Sequence, residues 1–200
     1  MQTIDSIEEL EALYDAAVPA SLTKVTSKMT PLYRRWIDES KFVVLSTVGP
    51  EGADVSPRGD DGPVVEILDD RTILLPDWRG NNRIDSLRNI VRDGRTSLMF
   101  MVPGCNNVVR VIGRAVLTSD ESMTQRFNKK GMNPKTVIVL TIEEMYFQCA
   151  KALMRSKLWS GEDESANIPS AGEFIKEMQV GFDAEAYDSD YPEYAKSRMW

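Results

Sequence analysis

Period-two alternation dominates the middle of the chain. "KFVVLSTV" is rich in β-branched residues and closes at the turn "GPEG", and "ADVSP" answers it as a hairpin partner. "GPVVEIL", "RTILLP", "TSLMFMV", "NVVRVIGRAVLTS", "KTVIVLTI" and a short "MYFQC" follow as further strands. Helical spacing breaks in at four places. Ser6 and Glu9 have the spacing of a capping box, with Ile7, Leu10 and Leu13 on one face. Thr30 is placed to cap a second helix that starts at Pro31 and runs to about Glu39, with Leu32, Trp36 and Ile37 as its buried stripe. Residues 83–91 and 121–130 supply the other two.

Short strands at hairpin spacing predict a mainly β protein, an antiparallel barrel with flanking helices, and not a parallel βαβ sheet. The same reading divides the chain into an N-terminal helical segment (1–40), a barrel (41–159) and a C-terminal arm (160–200). The arm is polar and acidic but carries Phe174, Phe182, Tyr187, Tyr191, Tyr194 and Trp200, so it is expected to pack on the barrel or on a second subunit.

Composition narrows the chemistry. Of 200 residues, 42% are hydrophobic, enough for one sizeable core. A net charge of -7 argues against nucleic acid as the main partner, because a phosphate backbone needs a basic face. There is no histidine, which removes histidine-based triads, general bases and metal ligation together, and leaves haem binding the weakest of the cofactor readings. Cys105 and Cys149 form neither a disulfide framework nor a CxxC pair. No apolar run reaches membrane length and "MQTIDSIEEL" is acidic, so a cytoplasmic protein with no membrane partner is expected.

One stretch departs from this plain picture. In "LLPDWRGNNRIDSL" an apolar run breaks at Pro76, and Arg79, Gly80, Asn81, Asn82 and Arg83 lead into a helix. Helix amino termini attract anions because their first N–H groups lack intrahelical partners and the dipole is positive there. Gly80 permits close backbone approach, Asn81 or Asn82 is placed to cap, and Arg79 and Arg83 add charge. The alternative is a solvated turn with a routine cap. Arg58, in "SPRGDDG" at the end of a neighbouring strand, is a third cation able to converge on the site.

The order of "FVVLSTVGPEGADVSPRGD", "TILLPDWRGNNRIDSLRN", "TSLMFMVPG" and "VVRVIGRAVLTSD" resembles the pyridoxamine 5'-phosphate oxidase-like flavoproteins, which are FMN-binding split barrels. The likeness runs over roughly residues 42–159, and "CAKALMRSKLW" resembles the carboxy-terminal element of an uncharacterised FMN-dependent branch. It implies FMN as cofactor, a homodimer with the flavin between subunits, and an oxidoreductase; a flavin carrier or sensor without turnover is the alternative. The family's phosphate-gripping Ser/Arg/Lys triplet falls on Asn81, Asn82 and Arg83. Arg58 matches an arginine that reaches the flavin phosphate or ribityl chain. The family's tyrosine and threonine are replaced by Pro76 and Asp77. Trp78 is a candidate wall of the site, with a core or interface position as the alternative. Arg110 flanks the strand that faces the flavin. Lys151, Arg155 and Trp159 recur every four residues, which lines them on one helical face and offers them to the flavin, with a surface stripe and a half-buried Trp as the alternative. In a flavoenzyme the flavin carries the hydride, so no catalytic residue is assigned. The residues that bind a substrate phosphate in the true oxidases are not all matched, and Asp60 and Asp61 are expected to repel a second phosphate, so efficient oxidation of pyridoxamine phosphate is not expected.

Overall fold

The computed structural model describes residues 1–199; Trp200 lies outside the described residues. Seven strands form one antiparallel sheet in the order β2-β1-β5-β6-β7-β4-β3. They are β1 (Phe42–Gly49), β2 (Gly52–Gly59), β3 (Glu66–Ile67), β4 (Thr72–Asp77), β5 (Arg95–Met101), β6 (Val108–Thr118) and β7 (Thr136–Gln148). Alternation sets which face is buried. Val43 and Leu45 of β1, Leu98 and Phe100 of β5, and Val109 and Val111 of β6 all point into one core. The sheet curls until β2 approaches β4, although five places separate them in the strand order. Side chains bridge this gap: Arg58 is ion-paired with Asp77, and Trp78 Nε1 donates to Asp60 at 3.1 Å. The result is a barrel split along a seam.

The helices are α1 (Ile7–Glu11), α2 (Pro19–Thr23), α3 (Pro31–Asp38), α4 (Asp85–Arg92), α5 (Glu121–Thr124), α6 (Lys151–Ser156), α7 (Ala171–Met178) and α8 (Ala184–Lys196). Thr30 caps α3 with Pro31 in the first turn, and Ile37 is fully buried. Leu32, expected in the buried stripe, is exposed, because α3 packs on the barrel core through Tyr33, Trp36 and Ile37. The expected strand at "GPVVEIL" shrinks to Glu66–Ile67: Val64 and Val65 are buried without joining the ladder. "KTVIVLTI" and "MYFQC" are one strand, β7, with a bulge opposite Gly113. A Cβ at Gly113 would lie 2.0 Å from the Thr141 carbonyl oxygen, so glycine is what lets the strands close there. The helix expected over 121–130 is only α5 followed by a 3-10 turn. In α1, Ser6 accepts from Glu9 N, but Ile7, Leu10 and Leu13 are exposed.

A candidate anion site at the barrel seam

The seam is polar because of strand parity. Asp54, Ser56 and Arg58 alternate inward along β2, while Val55 and Pro57 point out. On the barrel's other side these inward places hold apolar core; here they meet β4 and the start of α4. Arg58 pairs with Asp77, and its Nε donates to Ser56 Oγ at 3.3 Å. Ser56 Oγ lies 3.1 Å from Ser86 Oγ, which donates to Asp54. A continuous side-chain chain thus runs from Asp77 through Arg58, Ser56 and Ser86 to Asp54. Both members of the Arg58–Asp77 pair are about four-fifths covered, at 22% and 18% side-chain exposure, so solvent screens them less than a surface pair. Across from Asp77 on β7, the Thr136 hydroxyl is buried without a hydrogen-bond partner among the described residues.

Helix α4 starts at the mouth of this seam, and its start is unusual. The residue preceding it, Ile84, is in the left-handed region (φ 53°) and supplies no side-chain cap. A β-branched residue rarely adopts that conformation, and Asn82 (φ 62°) is left-handed as well. Neither asparagine caps the helix. Asn81 Oδ1 instead accepts from Arg83 N at 3.0 Å, folding the loop back on itself. The first turn of α4 therefore presents N–H groups without a side-chain acceptor. Asn89 fixes the helix to the barrel by donating to Thr47 Oγ1 at 3.2 Å, both side chains being buried.

Beside it lies an open cleft of about 380 Å³ between α4 and the β1–β2 hairpin, lined by Arg83, Arg88 and Arg92 against Glu51, Asp54 and Asp85. Arg92 forks onto both Glu51 oxygens at 2.7 Å, and Arg83 Nε donates to Asp85 at 2.8 Å. Arg88 makes no side-chain ion pair or hydrogen bond among the described residues. Arg79 is exposed in the loop above. A dianionic phosphate ester fits this donor set: serine hydroxyls, guanidinium groups and open helix N–H groups, held in place by the seam network.

The other candidate residues lie apart. Arg110 is on the outer face of β6, its guanidinium 5.4 Å from the Tyr146 ring and 3.3 Å from Gln148 Oε1. Lys151 and Arg155 are exposed on α6. Trp159 is not on their helical face, because α6 ends at Ser156 and Lys157 turns left-handed (φ 51°). Its indole donates to the Cys105 carbonyl at 3.0 Å. Trp78 stands at the seam against Asp60.

Lys129 bridges Asp60 and Asp61, so one of the two carboxylate charges is offset and the pair repels an anion less than the sequence implied. Hydrogen bonding from Lys129 holds the Asp61 carboxyl below its ordinary value. Burial works against the Lys129 ammonium, but its bonds to Asp60 and Asp61 prevail and raise its pKa. Ser56, Ser86, Arg88, Thr136 and Lys129 were not singled out from sequence. Strand parity after Arg58 carried a usable signal for Ser56; the others depend on which elements meet.

The model for pyridoxamine 5'-phosphate oxidase matches residues 29–149, more than half of the chain. The chain belongs to that family. The match covers α3 and the whole sheet and stops before α6. No curated protein matches. Among solved structures, similar ones include a putative pyridoxamine 5'-phosphate oxidase from Lactobacillus delbrueckii (24% identity, 60% of this chain and 95% of that one, TM-score 0.49). HupZ from Group A Streptococcus is another (19% identity, 60% and 93%, TM-score 0.49). A third is an FMN-binding protein from Syntrophomonas wolfei (15% identity, 58% and 88%, TM-score 0.44).

Proposed function

We propose that the protein binds FMN, with the phosphate at the seam mouth, and acts as an FMN-dependent oxidoreductase. The observation that carries the reading is the uncapped start of α4, set between a strained Asn82–Ile84 turn and the Ser56–Ser86–Arg58 chain. Strain of this kind persists where a function uses it. Arg83 would leave Asp85 to grip the phosphate, joined by Arg58, Ser56, Ser86 and the α4 N–H groups. Asn81, Asn82 and Arg79 would shape and charge the loop above. Trp78 would wall the site on the Asp60 side, and the Thr136 hydroxyl would gain a partner. Bound FMN would supply the ring that accepts and releases hydride.

The ring end of the ligand is assigned to the outer face of β6 in a homodimer. Val44, Val55, Met99 and Ile112 leave that face half-exposed and apolar around Arg110. Lys151, Arg155 and Trp159 would approach it from the end of β7. Purified protein should therefore sediment as a dimer, show a flavin absorption spectrum, and release FMN, not FAD or a deazaflavin, by mass spectrometry after denaturation. Reduction by NADH or NADPH with reoxidation by a second substrate distinguishes an enzyme from a carrier; the substrate is expected to be smaller or less charged than pyridoxamine phosphate. A colourless monomer that fails to take up added FMN would contradict the assignment.

A further inference from the structure

One cross-strand row stands out on the outer face of the sheet. Val44 of β1 lies opposite Met99 of β5, Met99 opposite Arg110 of β6, and Arg110 opposite Tyr146 of β7. Val43, Leu45, Leu98, Phe100, Val109 and Val111 point into the core, so this row points away from it. All of its members are half-buried. Valine, methionine and tyrosine suit a sheet face that is to be covered. A guanidinium set among them does not, unless something answers its charge.

Nothing in its own chain does so among the described residues. The Arg110 guanidinium lies 5.4 Å from the centroid of the Tyr146 ring, and its Nη1 donates to a neutral acceptor, Gln148 Oε1, at 3.3 Å. Arg58, Arg83, Arg92, Arg95 and Arg126 are different, each being paired with an acid. Glu144 shares the outer face with Arg110, opposite Ile112, yet no ion pair joins the two. The ring and the amide therefore hold the plane of the guanidinium without neutralising it. Covering this face would strip the water from that charge, and a charge buried without a counter-ion is strongly unfavourable. The covered face needs an anion at Arg110.

We propose that Arg110 anchors the substrate by its carboxylate, and that the substrate is a small, largely apolar monoanion of the aromatic carboxylic acid class. The inference rests on the placement of the flavin ring on this same face. One planar guanidinium offers a pair of parallel N–H donors, which matches one carboxylate. A dianionic phosphate calls for the larger donor set of the seam mouth. Val44, Met99 and Ile112 give the rest of the molecule an apolar bed, and Tyr146 gives it an aromatic neighbour. A carboxylate on Arg110 sets such a substrate beside the ring.

The test titrates FMN-loaded, full-length protein with benzoate and, separately, with benzamide, a neutral probe of the same shape, following the flavin absorption bands. Benzoate is expected to shift the bands saturably and to bind about tenfold or more tighter than benzamide. Arg110→Gln should weaken benzoate about tenfold to a hundredfold, down to the level of benzamide, while Arg110→Lys keeps part of the preference. FMN content and subunit association should hold in both variants. Equal binding of the two probes would overturn the proposal, as would full benzoate binding by Arg110→Gln. Loss of FMN from both variants would give Arg110 to the cofactor, and dissociation into monomers would give it to a carboxylate of the second copy such as Glu144; either overturns the proposal. A protein that takes up no FMN fails before any benzoate is added, and the proposal falls with the flavin reading. A loaded protein blind to benzoate overturns the proposal alone.

Discussion

β6 and β7 meet along the whole length of β6, backbone to backbone, from Val108↔Gln148 to Thr118↔Val137, with Val111, Ala115, Leu140 and Ile142 buried behind them. β2 and β4 also face each other, but there the Arg58–Asp77 pair and the Trp78–Asp60 bond take the place of a ladder. The first junction satisfies its backbone polar groups within the ladder. The second leaves guanidinium and hydroxyl donors that a phosphate is able to recruit, next to a helix start that lacks its own cap. One sheet therefore has a structural side and a side open to chemistry, and the difference lies in whether backbone or side chains close the gap.

Substitutions on the two sides should separate stability from binding. Phe100→Ala, in the core beneath β5, is expected to cost about 3–5 kcal/mol in denaturant unfolding, with flavin affinity following only the folded fraction. Equal flavin loss in fully folded protein would erase the distinction. Asp77→Asn should cost less, about 1–3 kcal/mol, because it removes one charged hydrogen-bond partner from a part-buried pair. It should also change FMN affinity more than Phe100→Ala does, since Arg58 loses its tether.

The smallest expected effect is one of pH. The Asp61 carboxyl is lowered, so its contribution is present above its unfolded value near 3.8 and is lost as pH falls through the lower folded value. The Lys129 ammonium is raised, so its contribution is full below 10.5 and is lost as pH rises through the higher folded value. The seam loop should accordingly be tightest between these limits. The Trp78 indole N–H signal in NMR should shift at both ends, while amides of β6 and β7 stay unmoved. A Trp78 signal flat across the range would separate Lys129 from the seam.

The strands were legible because their alternation is strong and each buries one face; "FVVLSTV" and "TSLMFMV" announce themselves. Val64 and Val65 look the same in sequence and are buried, but their backbone leaves the β4 ladder, Val64 N donating to the Ser40 carbonyl at 2.9 Å instead. At the site, Arg58 and Arg83 were visible as cations in loops after strands. Their attachments were not, since Asp77 and Ser86 meet Arg58 and Asp54 only when the sheet curls. The cap expected from Asn81 or Asn82 failed because the loop uses Asn81 to hold Arg83 N instead, and Ile84 takes the left-handed turn.

The most direct test of the seam-mouth assignment compares FMN with riboflavin, which shares the ring and ribityl chain but lacks the phosphate. Titration of apoprotein with each ligand, for the natural chain and for Arg83→Ala, isolates the phosphate contact. The Arg83 side chain is exposed and, among the described residues, bonded only to Asp85, so its removal should leave the fold intact. The account predicts FMN binding weakened roughly tenfold to a hundredfold, the range of one charge-assisted bond of about 1.5–3 kcal/mol, with riboflavin binding nearly unchanged. Equal losses for the two ligands, or none for FMN, would contradict it.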